Sequence, residues 1–249
     1  VSGLQRVALL EQLGARVHTV AGSCATHGPA SVVARVDLGW YCPACLEDQQ
    51  RAEGLRGWAR ERAATLHAIA GIPLRYRGQA FAAATPAQKE VRALAAAFRD
   101  FIVAERRWAC LLLVGDPGTG KTQLACEFGE AWINRLCRSA RYVTGKGMVS
   151  EIQAAYGCEG KSEESEIDRF VQYDLLILDE IDAIPDKDNA KLLLTEVVNR
   201  RYSHHKPLIA ISNQRLAELG RFVGDRVLDR LHEHAYPCAF DWPSFRRAG

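Results

Sequence analysis

The chain has 249 residues, 48% of them hydrophobic, enough for one large domain and a small one. Lysine and arginine exceed aspartate and glutamate by only two, so no strongly basic arm exists and any nucleic-acid contact must come from local patches. No apolar run reaches the roughly 18 residues of a membrane span and no signal-peptide pattern occurs, so the sequence predicts a soluble, cytoplasmic protein without a membrane partner, in which eight cysteines argue against a disulfide framework.

Residues 3–17 carry Leu4, Val7, Leu10 and Leu13 at helical spacing, an amphipathic helix that either packs on its own domain or docks a partner protein. Cys24-Ala25-Thr26-His27 and Cys42-Pro43-Ala44-Cys45 follow, separated by fourteen residues. In each pair, two ligands from one tight turn can meet the same ion. Cys24, His27, Cys42 and Cys45 together supply the four donors of a closed tetrahedral zinc site. Four protein ligands leave no position for water, so the zinc is structural, and its binding is most of the folding free energy of so small a piece. His18 is a weaker alternative to His27. From Leu46 to Ala70 the sequence is polar and helix-prone, with Arg51, Arg56, Arg60 and Arg62 beside Trp58. This is either the solvated face of a connecting helix or a contact for single-stranded nucleic acid. Gly71-Ile72-Pro73 breaks the helix and divides the chain into residues 1–70 and 71–249.

A long alanine-rich helix is predicted from about Pro86 to Glu105. Leu111 to Val114 then reads as a buried strand, and Gly115-Asp116-Pro117-Gly118-Thr119-Gly120-Lys121-Thr122 fits G-x-x-x-x-G-K-[ST] without mismatch. Glycines let successive backbone N–H groups turn inward onto phosphate oxygens, and the helix opening near Gln123 adds its dipole. Lys121 can reach the β- and γ-phosphates, and the Thr122 hydroxyl can ligate Mg²⁺. The pattern implies a nucleoside triphosphate, ATP with Mg²⁺.

Ala140 to Thr144 reads as a second strand, with helical segments at about Met148–Tyr156 and Glu164–Val171 and a polar loop between them. Leu175-Leu176-Ile177-Leu178-Asp179-Glu180 is a buried strand ending in two carboxylates. One can hold Mg²⁺ through water and the other can orient an attacking water, a pairing that favours hydrolysis. A helix follows from about Asn189 to Tyr202, then a strand from Leu208 to Ile211 that ends in Ser212-Asn213. The Asn213 amide either contacts the attacking water or γ-phosphate or caps the next helix. Arg226 and Arg230 share one helix face; they either pair with Asp225 and Asp229 or one of them reaches a neighbouring subunit's nucleotide. Cys110, Cys126, Cys137 and Cys158 sit singly among apolar or helical neighbours and read as small buried hydrophobes.

With these motifs in order, residues 70–247 resemble the AAA+ ATPases and, within them, the DnaC-type bacterial and phage helicase loaders. The resemblance rests on Gly-Ile-Pro at 71–73, the glycine-rich loop at 115–122 and Tyr-Asp-Leu-Leu-Ile-Leu-Asp-Glu-Ile at 173–181. It continues with Asn-Arg-Arg-Tyr at 199–202, Ile-Ser-Asn at 211–213, Gly-Asp-Arg-Val-Leu-Asp-Arg-Leu at 224–231 and Trp-Pro-Ser-Phe-Arg at 242–246. It implies an α/β fold, a parallel five-stranded sheet flanked by helices with nucleotide at the carboxyl ends of its strands. Lys121 and Thr122 then belong to Walker A, Asp179 and Glu180 to Walker B, and Asn213 is sensor 1. Arg226 and Arg230 lie in the arginine-finger segment, and Arg246 is a candidate sensor 2. Only 18 residues follow Leu231, too few for the helical lid of typical AAA+ proteins.

The expected function is an ATP-dependent loader that places a ring-shaped, DnaB-type replicative helicase on single-stranded DNA, working as a homo-oligomer in the ATP state. Residues 1–70 would grip the helicase, and Lys146 and Lys161 lie where such loaders are expected to contact DNA. Two other readings stand beside it: an IstB-type transposition helper, and a zinc-containing DNA-binding adaptor whose nucleotide site is structural.

Overall fold

The computed structural model describes residues 17–35, 39–155, 160, 162–185 and 187–247. The predicted N-terminal helix, except for Val17, and Lys161 and Cys158 lie outside these. The described residues form two compact units, one up to Arg62 and one from Ala63 onward. The predicted break at Gly71 is where the connecting helix stops, whereas the change in compactness falls inside that helix.

In the first unit, β1 (Val17–Cys24) and β2 (Gly28–Arg35) form an antiparallel hairpin closed by the pair Cys24 and Gly28, and β3 (Gly39–Tyr41) adds to β2. Helix α1 (Pro43–Ile69) begins directly after Cys42, with a proline at its first position, where the missing N–H costs nothing.

The second unit is built on β4 (Cys110–Gly115), β5 (Ala140–Thr144), β6 (Leu175–Asp179), β7 (Leu208–Ser212) and β8 (Ala235–Phe240). Their order is β5-β6-β7-β4-β8 and every pairing is parallel. Strands buried on both faces carry continuous apolar runs, and alternate residues serve opposite faces. Leu111, Leu113, Ile177, Ile209 and Ile211 meet α2 (Pro86–Ala104) and α3 (Lys121–Leu136) through Phe98, Ile102, Leu124 and Ile133. Leu112, Val114, Leu176, Leu178 and Ala210 meet α4 (Gly145–Gln153), α5 (Glu163–Gln172), α6 (Asp188–Ser203), α7 (Leu216–Val223) and α8 (Asp225–His232) through residues such as Met148, Phe170, Val197, Leu219 and Val227.

The fifth strand, β8, carries Pro237 in its middle. Proline cannot donate to a ladder, and β8 is the edge of the sheet, where one side of the strand needs no partner. The predicted helix after residue 147 starts at Gly145 instead, because the Thr144 hydroxyl accepts the Gly147 N–H at 3.0 Å and caps it. Cys110 and Cys126 are buried as expected and Cys137 half-buried. Among the described residues no helix is long and apolar enough to cross a membrane.

Candidate functional site

The loop from Gly115 to Gly120 joins β4 to α3 and wraps a cleft at the carboxyl ends of the strands. Gly118 adopts φ 82° and a Cβ there would collide with Ser244 Oγ; Gly120 adopts φ 98° and a Cβ would meet the rings of Phe81 and Phe245. Only glycine fits both the left-handed backbone and the close approach. Lys121 opens α3, and its ammonium sits in the loop's concavity, donating to the carbonyls of Gly115 at 2.6 Å and Asp116 at 2.7 Å. Burial lowers its pKa, against the opposing charges of Asp179, Asp182 and Asp116. The Thr119 hydroxyl ties the loop to the Asp116 carbonyl at 2.8 Å.

Asp179 ends β6 and is the hub of the cleft. Its Oδ2 accepts from the Thr122 hydroxyl at 2.9 Å and the Tyr142 hydroxyl at 2.8 Å, and its Oδ1 from the Glu180 N–H at 2.8 Å. Burial, with the adjacent Asp179 charge, raises the Tyr142 pKa, so the phenol stays a donor. The carboxylate and Thr122 hydroxyl are thereby arranged as a hard, oxygen-only pair suited to Mg²⁺. Glu180 follows in the left-handed region at φ 52°, ψ 47°, an uncommon conformation for this residue type, and stays exposed on the cleft wall. Asn213, at the end of β7, also lines the cleft; its N–H is held by Asp182 Oδ1 at 3.1 Å.

Pro117, Gly118, Gly120, Thr122, Gln123 and Arg246 join these residues on the wall, together with Arg75, Tyr76 and Phe245. The segment after β8 folds back over the loop. Trp242 Nε1 donates to the Thr119 carbonyl at 2.9 Å and the Phe245 N–H to the Gly118 carbonyl at 2.9 Å, which brings Arg246 to the cleft. Tyr142, Asp182, Arg75, Tyr76 and Phe245 were not singled out by sequence reasoning. Only Phe245 lies in a quoted motif; Arg75 and Tyr76 reach the cleft wall by long-range folding, while Tyr142 and Asp182 do not line it but bond Asp179 and the Asn213 N–H.

Arg226 and Arg230 do not line the chain's own cleft. Arg230 is half-buried, donates to the Arg226 carbonyl at 3.1 Å and lies over the Tyr202 ring at 5.5 Å, with Asp229 at 3.9 Å. Arg226 is exposed on α8. Lys146 is exposed in the first turn of α4.

In the first unit, the four sequence-predicted donors converge. Cys24 Sγ, His27 Nδ1, Cys42 Sγ and Cys45 Sγ all lie within 4.8 Å of one another. Cys24 to Cys45 is 3.5 Å, and His27 Nδ1 is 3.3–3.9 Å from the three sulfurs. A tetrahedral zinc ion with ordinary bond lengths separates its donors by about 3.5–3.8 Å, so this donor set fits the ion. The hairpin turn supplies Cys24 and His27, and the entry into α1 supplies Cys42 and Cys45. Backbone hydrogen bonds from His27 and Thr26 lower the Cys24 thiol to about 6, while the side-chain hydrogen bond with Cys24 pushes Cys45 up to about 11. Asp48, three residues into α1 from Cys45, accepts from His27 Nε2 at 3.0 Å and fixes which ring nitrogen faces the sulfurs. Sequence reasoning missed Asp48, although its i+3 position after Cys45 on a helix carried the signal.

A family model described as IstB-like ATP binding protein matches residues 70–248. The chain belongs to this family. The match begins at the end of α1, so this IstB-like protein carries its Cys/His unit outside the family's own domain. Among curated relatives, it is 29% identical over 139 residues to the replicative helicase loader DnaC of Escherichia coli K12, covering 55% of this chain and 56% of DnaC. It is 35% identical over 141 residues to the insertion sequence IS5376 putative ATP-binding protein of Geobacillus stearothermophilus, covering 55% of each. The chain thus spans about half the length of the curated relatives it matches. Among solved structures, the DnaC helicase loader superposes with TM-score 0.58 at 22% identity over 67% of this chain and 99% of that one. DnaI does so with TM-score 0.57 at 18% identity over 74% and 98%. At these identities the structures show the fold alone: the IstB-like domain is an α/β domain with a five-stranded parallel sheet.

Proposed function

We propose that this protein is an ATP-dependent loader that delivers a ring-shaped replicative helicase onto single-stranded DNA. The observation that carries the reading is a cleft that gathers Lys121, Thr122, Asp179, Glu180, Asn213 and Arg246 but takes no arginine from α8. Lys121 would hold the phosphates, Thr122 and Asp179 the Mg²⁺, Glu180 the attacking water, and Asn213 and Arg246 the γ-phosphate side. Arg226, exposed and not lining the chain's own cleft, is the better candidate for a finger given to a neighbouring subunit; Arg230 is occupied by Tyr202 and the Arg226 carbonyl. A finger supplied in trans is worth about 10³–10⁵ in rate, so hydrolysis would follow assembly. ATP would act as a switch, through a difference in affinity between two packings of the subunits. The Cys/His unit, holding zinc, would grip the helicase together with the residues before it.

The similarity to DnaC supports this reading. The 35% identity to an insertion-sequence ATP-binding protein favours a second one, a transposition helper with the same ATPase cycle. Co-purification of the full chain with its host's replicative helicase, with ATP and with ADP, separates them. Nucleotide-dependent retention and transfer of helicase to single-stranded DNA supports the loader. Absence of helicase in every nucleotide state, with retention of a transposase, replaces it by the helper.

A further inference from the structure

The turns that enter the strands, at the end of the sheet opposite the nucleotide cleft, form a cavity of about 290 Å³ lined by Arg106, Arg107, Arg138, His204, His205 and Lys206. Four of these are permanent cations, and the one carboxylate lining the cavity is Asp174. That carboxylate is already engaged: it accepts from the Ser139 N–H at 3.0 Å, the Ser139 hydroxyl at 2.8 Å and Lys206 Nζ at 3.4 Å. Arg201, fully buried nearby, adds another cation; it donates to the carbonyls of Phe170, Tyr173 and Pro207. In a chain whose net charge is only +2, this is a marked local excess.

The cations also lie in a row. Arg138 precedes β5, Lys206 precedes β7 and Arg107 precedes β4, in a sheet ordered β5-β6-β7-β4. Three inter-strand spacings of about 4.8 Å give a stripe of about 14 Å, longer than one phosphate group needs. Guanidinium forks match phosphate oxygens two at a time. Strands of five or six residues hold the stripe roughly 16–20 Å from the nucleotide cleft, so the two sites would not compete for one anion.

We propose that this stripe binds the sugar–phosphate backbone of single-stranded nucleic acid. The inference names a contact surface for the DNA partner in the function proposed above and rests on that reading. It differs from the expected contact at Lys146, which lies at the cleft end of the sheet.

The test is binding of a fluorescent oligothymidylate to the full chain, saturated with Mg²⁺ and a non-hydrolysable ATP analogue, across a salt series. The Arg106→Gln, Arg107→Gln, Arg138→Gln triple variant is compared with wild type and with Lys146→Gln. Each phosphate neutralised on a single strand contributes about 0.7 to the slope of log affinity against log salt, so the triple variant is expected to lose about 2 from that slope. Its affinity at low salt should fall at least tenfold, with analogue binding and helicase retention unchanged. Wild-type affinity and slope in the triple variant, with both reduced in Lys146→Gln, would overturn the stripe and leave the loader standing. Wild type that binds no DNA in any nucleotide state would overturn both. Pyrophosphate serves as a probe for small anions: if the triple variant loses pyrophosphate binding but keeps the DNA slope, the DNA assignment is wrong.

Discussion

From Ala63 onward, the chain buries both faces of a five-stranded sheet, with Phe98, Phe170, Leu112 and Ile177 fully enclosed. Up to Arg62, the buried hydrophobic among the described side chains is Cys42, itself one of the four clustered donors. The larger unit draws its stability from apolar area, while the smaller one gathers sulfur and imidazole donors suited to an ion. The expected consequence is that stripping a bound ion should unfold the smaller unit and leave the larger one folded, and that each should respond to a different class of substitution.

The sharpest way to break this contrast is to substitute Cys42→Ser together with Cys45→Ser. Structural zinc contributes on the order of 10 kcal/mol to small domains, so the first unit should lose its fold and its metal. Binding of an ATP analogue, measured by calorimetry, should stay within about twofold. Zinc content that survives the double substitution would refute these ligands. Next in size is Arg201→Met. Arg201 is fully buried, its pKa lowered by burial to about 9, and its guanidinium ties α5 and the starts of β6 and β7 through main-chain carbonyls. Leaving those carbonyls without their donor should cost about 3–5 kcal/mol in urea unfolding of the larger unit. The metal content of the smaller unit should not change.

These two regions were legible in the sequence to different degrees. In the larger one, the apolar runs at Leu111–Val114 and Leu175–Leu178 and the glycine loop between residues 115 and 120 announce strand, loop and helix through local pattern alone. Strand β8 did not announce itself, because Pro237 interrupts it and only its position at the sheet edge makes that tolerable. In the smaller region the spacing of Cys24, His27, Cys42 and Cys45 named the donors, but not the β1–β2 hairpin that presents two of them. Tyr142 and Asp182 stayed hidden for a common reason. Each meets its partner through the register of neighbouring strands or turns, and parallel register has no signature within one segment.

Asp174 offers a finer test within the larger unit. Burial alone would raise its pKa, but hydrogen bonds from Ser139 and the nearby Lys206 outweigh it and hold the carboxyl below its usual value. A depressed carboxyl contributes stability above its unfolded pKa and loses it as pH falls through the folded one. Asp174→Asn should therefore cost about 1–3 kcal/mol at neutral pH, and the difference from wild type should shrink below about pH 4. A difference that stays constant down to about pH 3 would mean that the charge of Asp174 is not what matters.

The smallest expected effect bears on the cleft itself. Tyr142 donates to the same Asp179 oxygen that receives the Thr122 hydroxyl. Partners of this kind orient a carboxylate that holds a metal, and their loss typically weakens metal affinity by about 10–100-fold. In Tyr142→Phe, Asp179 keeps Thr122 and the Glu180 N–H, so the loss should lie at the lower end, about tenfold in the Mg²⁺ concentration that half-saturates ATP binding. Global stability should fall by only about 1 kcal/mol, one hydrogen bond. Binding measured without Mg²⁺ should not change, since the loop carbonyls and N–H groups that surround Lys121 do not involve Tyr142. If Mg²⁺ dependence is unaltered while stability falls, Tyr142 belongs to the packing between β5 and β6 and Asp179 is oriented without it.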